Sequence, residues 1–94
     1  MVEEEAAASF EIINVRGLHA RAATKLVQLA SRFPCEVTLS GPDADEVNAK
    51  SVMGVLLLCG AKGTIVHVRA VGARAREAVD EIGRLIDDRF GEPE

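Results

Sequence analysis

From Thr64 to Val71 the chain alternates strictly: Thr64, Val66, Val68 and Ala70 against Ile65, His67, Arg69 and Val71. A few residues later the apolar spacing changes to threes and fours, through Ala75, Ala78, Val79, Ile82, Leu85 and Ile86. A period of two marks a half-buried strand, and a period near 3.6 an amphipathic helix. Each is apolar on one side only, so the helix predicted over about Ala73–Arg89 must lie against the sheet containing that strand.

The same switch occurs nearer the start. Phe10-Glu11-Ile12-Ile13-Asn14-Val15 reads as a strand, over about Ser9–Asn14, and is broken by Gly17. A helical stripe of Ala20, Ala23, Leu26, Val27, Ala30 and Phe33 follows, placing a helix over about Ala20–Arg32 that Pro34 stops. Cys35, Val37 and Leu39 then alternate with Glu36, Thr38 and Ser40 as a second strand. Gly41-Pro42-Asp43-Ala44-Asp45 is turn chemistry, joining it as a hairpin to a short strand near Glu46–Ala49. Ser51 suits the cap of a short helix, Val52–Leu58, closed at Cys59-Gly60. The order is strand, helix, strand, strand, helix, strand, helix. An α+β fold results, with three helices on one face of a four-stranded, mainly antiparallel sheet. The other face stays wet, supplied by Glu11, Glu36, Thr38, Ser40, His67 and Arg69.

With 94 residues the chain is expected to form a single domain, 1–94. Residues 1–7 read as a frayed acidic lead, and Gly91-Glu92-Pro93-Glu94 as a tail. A net charge of -4 argues against nucleic acid as a partner, which demands a basic surface. The acidic start Met1-Val2-Glu3-Glu4-Glu5 is unlike a secretory signal, and the run Val55 to Cys59 is too short for a bilayer. The expected setting is cytoplasmic, without membrane insertion. Cys35 and Cys59 sit in apolar runs, read as small buried hydrophobes with no metal-like spacing.

Chemistry concentrates at Gly17-Leu18-His19-Ala20-Arg21. An imidazole stands at the mouth of a helix, where backbone N–H groups lack partners and about half a positive charge gathers. Such a mouth suits an anion, and a histidine in it can carry a phosphoryl group on its ring. The helix start and Arg21 disfavour imidazolium, leaving the ring nucleophilic, and both then face the dianionic cargo. A lone histidine before a helix is ordinarily a surface residue or loose cap, Arg21 alone a solvated residue, and Ser51 alone a cap. Asn14 is expected to hold the loop through backbone hydrogen bonds. Arg16, Arg21 and Lys25 form a local basic spot for an acidic docking face.

Two segments together resemble the HPr family, the histidine-containing phosphocarriers of the bacterial phosphoenolpyruvate-dependent phosphotransferase system. Asn14-Val15-Arg16-Gly17-Leu18-His19-Ala20-Arg21 is similar to the family's phosphohistidine signature, and Val47-Asn48-Ala49-Lys50-Ser51-Val52-Met53-Gly54-Val55 to its regulatory serine segment. The likeness covers about Ser9 to Gly91 and implies an open-faced β-sandwich. It also implies His19 as acceptor through Nδ1, a nitrogen the residues alone do not choose, with Arg21 stabilising the phosphate and Asn14, Gly17, Ala20 and Ala22 supporting. Ser51 becomes a regulatory position, and Arg16, Lys25, Val52, Met53 and Leu56 a partner surface. Implied partners are enzyme I as donor, enzyme IIA domains as acceptors and a serine kinase/phosphorylase, for a monomer with no cofactor or metal. Ala22 stands where the family usually has proline, which softens the helix start, and Ala49 where glycine is commoner.

Two other classes fit a short α+β chain with an arginine near a loop. An acylphosphatase-like enzyme would keep turning over acyl phosphate without His19. A non-catalytic module would bind its partner through the first two helices and take no acid-labile phosphate.

Overall fold

A computed structural model describes residues 4–42 and 45–94. Strands β1 (Glu5–Glu11), β2 (Glu36–Ser40), β3 (Val47–Asn48) and β4 (Ile65–Val71) form one sheet in the order β1-β4-β2-β3, every neighbouring pair antiparallel. Helices α1 (Ala20–Ala30), α2 (Val52–Leu57) and α3 (Ala75–Asp87) pack over it, and a 3-10 turn, Arg89–Gly91, ends the chain's regular structure. Element order and layering are those expected from the period switches.

Register explains which face is dry. Ala6, Ala70 and Val37 line up across three strands, as do Ala8, Val68 and Leu39. All point toward the helices and are buried except Ala8, which packs partly buried against the core. The intervening rows face solvent: Ser9 lies beside His67, and His67 beside Ser40. On that face Ser9 Oγ and His67 Nδ1 lie 2.6 Å apart, Arg69 pairs with Glu5 at 3.0 Å and Thr38 donates to Glu46 at 3.1 Å.

The first strand begins earlier than the alternation suggested. Glu5, Ala6 and Ala7 are paired with Val71, Ala70 and Arg69, so the frayed lead does not extend over them. The reason is an unusual helix start. α3 begins after Arg74, which adopts a left-handed conformation (φ 65°) and offers no side-chain cap. Glu4 supplies the missing acceptor: its carboxylate takes the Arg76 N–H at 2.8 Å, while its carbonyl takes the Gly72 N–H at 2.8 Å. A negative charge at a helix start is favourable, so this part of the acidic run is anchored by function as a cap. Residues 1–3, also in the expected frayed lead, and Asp43-Ala44 of the expected turn lie outside the described residues.

At its far end the first strand passes into loop at Ile12, which still exchanges backbone hydrogen bonds with Thr64 and Gly63 (2.9 and 2.7 Å) and is fully buried. On α1 the buried residues are Ala22, Ala23, Leu26 and Ala30, while Ala20 faces solvent. The buried stripe therefore starts at Ala22 rather than at Ala20 and otherwise keeps Ala23, Leu26 and Ala30 as expected. Cys35 is buried as expected; Cys59 is exposed, since the left-handed turn that ends α2 (φ 51°) points it outward.

Candidate functional site

Loop geometry sets the site. Gly17 has φ 65°, and a Cβ there would fall on the carbonyl oxygen of Gly60. Glycine is therefore required twice over, by backbone conformation and by contact. Leu18 N–H donates to that same carbonyl at 2.7 Å, pinning the loop against the turn after α2. His19 follows in an extended conformation as the N-cap of α1.

The imidazole is held at both nitrogens. Nδ1 accepts from the backbone N–H of Arg21 at 3.2 Å. An amide is only a donor, so Nδ1 carries its lone pair toward the first turn of α1 and the ring proton sits on Nε2. Nε2 meets the carboxylate of Glu92 in a short contact. The second carboxylate oxygen accepts from Asn14 Nδ2 at 3.0 Å, and the same amide donates to Gly17 O at 2.9 Å. Asn14 thus joins the loop to the C-terminal segment. It is wholly buried, and its Oδ1 has no partner among the described residues.

Glu92 is the site residue that the sequence reading placed in a free tail. A sharp reversal delivers it. Arg89 and Phe90 both adopt left-handed conformations (φ 57° and 56°), and the Phe90 ring is fully buried. Lys25 Nζ donates to Phe90 O at 2.6 Å, and Val15 N–H to Glu94 O at 2.9 Å. Burying a phenylalanine stabilises by about 1.5–3 kcal/mol, which offsets most of the roughly 1–2 kcal/mol that each of the two left-handed residues costs. Hydrogen bonding to His19 holds the Glu92 carboxyl below its ordinary range, with Asn14 and the charge of Arg16 acting the same way against partial burial.

Arg21 contributes its amide to the ring, whereas its guanidinium is exposed and lines a shallow cleft with Val15, Arg16, Glu92, Pro93 and Glu94. Ala22, where proline was expected from the likeness, is fully buried. Lys25 belongs with the tail through Phe90, rather than forming an unengaged cation in the basic spot. Ser51 caps α2, its Oγ accepting from Gly54 N–H at 3.1 Å. Along α2, Val52 and Leu56 are half-buried, while Met53 and Leu57 stand 71% and 70% exposed. Leu57, four residues after Met53, stands beside it on the same exposed apolar edge of the helix.

A four-stranded open sheet under its helices, with a half-buried histidine whose Nδ1 lone pair is met by a 3.2 Å backbone hydrogen bond, is the arrangement of a small group-carrying protein. Family comparison agrees: the model described as PTS HPr component phosphorylation site matches residues 6–88. Phosphocarrier protein HPr of Neisseria meningitidis serogroup A is 46% identical over 86 residues, covering 92% of this chain and 96% of that one. Phosphocarrier protein NPr of Escherichia coli is 39% identical over 82 residues, 87% and 91% of the two chains. A crystal structure of HPr-C-His from Thermoanaerobacter tengcongensis superposes with a TM-score of 0.89 at 38% identity, covering 95% of this chain and 99% of that one. The chain belongs to the HPr family of phosphotransferase-system phosphocarriers. Among the described residues no helix is long and apolar enough to cross a membrane.

Proposed function

We propose that this protein is a stoichiometric carrier rather than a true enzyme, accepting a phosphoryl group from phospho-enzyme I on His19 Nδ1 and passing it to enzyme IIA domains. One observation carries this reading: the Nδ1 lone pair is aimed at the first turn of α1 by the Arg21 amide. At 3.2 Å that hydrogen bond is at the long end of the normal range and is readily exchanged for a bond to phosphorus. The freed amide can then donate to a phosphoryl oxygen. Helix-start electrostatics supply about 0.3–1 kcal/mol for the dianion. A charge-assisted bond from Arg21 adds roughly 1.5–3 kcal/mol. Modest stabilisation at an open site suits a group that must leave again.

Ser51 is assigned to regulation by a serine kinase/phosphorylase, where a phosphate would replace the cap's hydroxyl and repel an acidic partner. The docking surface comprises Arg16, Val52, Met53 and Leu56, with Lys25 acting through the tail it holds. The protein works as a cytoplasmic monomer without metal or cofactor.

Incubation with phosphoenolpyruvate and enzyme I, followed by intact-mass measurement, tests the assignment. One acid-labile, base-stable phosphoryl group is expected on the wild type and none on His19→Ala. Label retained by His19→Ala would overturn it. Transfer rates to several purified IIA proteins distinguish a sugar-uptake role from a nitrogen-type one.

A further inference from the structure

We propose that Glu92 is a positioning residue for phosphoryl transfer, keeping the ring proton on Nε2 both before and after His19 Nδ1 is phosphorylated. The inference rests on the carrier reading of His19 and deepens it. The geometry is specific: one oxygen of the Glu92 carboxylate meets Nε2 and the other is fixed by Asn14 Nδ2, itself wholly buried. A carboxylate held at both oxygens imposes a ring tautomer in a way that a mobile tail cannot.

The chemical consequence follows from proton balance. In the resting state Nε2 bears the proton and Nδ1 the lone pair. Attack forms the Nδ1–P bond while the donor's own bond to phosphorus breaks, and no proton moves. The product is a phosphoimidazolium, positively charged on the ring and still bound through Nε2–H to Glu92. Onward transfer breaks the Nδ1–P bond, the electron pair returns to Nδ1, and the leaving group is neutral imidazole. Without the Nε2 proton the leaving group would be imidazolate, a far poorer one. Glu92 therefore keeps the cargo transferable as pH rises, when a phosphorylated ring would otherwise lose that proton. Charged groups near the carboxylate are Arg16, Arg21 and Glu94, which share its cleft, with Lys25 holding the preceding turn at Phe90. The two arginines reach the cleft from the loop and from α1, so removing Glu92 leaves two cations and one carboxylate, Glu94, around it.

Ring 15N resonances and the pH profile of transfer test this on the full chain. Wild type should show protonated Nε2 and unprotonated Nδ1, while Glu92→Ala shows a mixture of tautomers. Onward transfer from phosphorylated Glu92→Ala should match wild type within about twofold near pH 6.5 and fall roughly tenfold behind by pH 8.5. Glu92→Gln, which retains an acceptor for Nε2–H without charge, should recover the tautomer and only part of the alkaline activity. A purely structural tail would slow transfer equally at every pH, and that result, or unchanged tautomers in Glu92→Ala, overturns the proposal. Absence of label on wild-type His19 would instead defeat the carrier reading itself.

Discussion

Among the described residues Asn14 is the one polar side chain with no exposure in an otherwise apolar interior, and its amide nitrogen serves two acceptors at once, Gly17 O and Glu92 Oε1. Replacing that nitrogen with oxygen would face three acceptors against one another and bury an unpaired charge. Asn14→Asp is therefore expected to destabilise by about 3 kcal/mol, the scale found when a buried charge lacks a partner. A shift of the urea midpoint with unchanged slope measures it, and a near-neutral result would mean the loop opens to let water in. Arg21 behaves differently. Its guanidinium is exposed and makes no hydrogen bond among the described residues, while its backbone amide orients the ring. Arg21→Ala should leave the melting temperature within a few degrees, because exposed substitutions usually fall within about 0.5 kcal/mol. Onward transfer should slow by roughly tenfold or more, as a charge-assisted bond to the cargo is lost. Single-turnover kinetics beside a melting curve separates the two effects.

At the level of elements, the loop between β1 and α1 is built around a glycine that has no substitute. Gly17→Ala adds a left-handed penalty of about 1 kcal/mol and a collision with a backbone carbonyl, which has no rotamer to escape into. Overpacking of that kind costs about 1–3 kcal/mol, so the combined loss should lower the melting temperature by more than about 10 °C. It should also unseat His19. Much of this scale was legible in the chain. Alternation over β4, the stripe on α3 and the break at Gly17 dictated the layers, because one-sided hydrophobicity is a local property of sequence. The caps at His19 and Ser51 were legible for the same reason. What escaped were long-range pairings between polar groups. Glu4 capping α3 and Glu92 meeting His19 join residues far apart in sequence, and an acidic residue near a terminus carries no periodic signal. The buried Phe90 was the available hint, an aromatic beyond the helix stripe in a chain with only three.

Across the whole molecule, the two ends of the chain act as fasteners, Glu4 at one end of α3 and Glu92 beyond its other end. The second fastener is titratable. In the folded protein the Glu92 carboxyl lies below its ordinary range, chiefly because His19 donates to it, and in the unfolded chain it returns to about 4.3. A group depressed on folding contributes stability that is fully present above the unfolded value and is lost as pH falls through the folded one. Wild type should therefore be more stable than Glu92→Gln near neutral pH, with the difference shrinking below about pH 4.3 and disappearing in stronger acid. Since Val15 N–H donates to Glu94 O, its amide resonance should report the tail leaving over that same acid range while the β1–β4 amides stay fixed. A stability difference that grew with acidity would reverse the sign required by the geometry. Val15 and β-sheet resonances moving together would mean that the tail unfolds only with the rest of the protein.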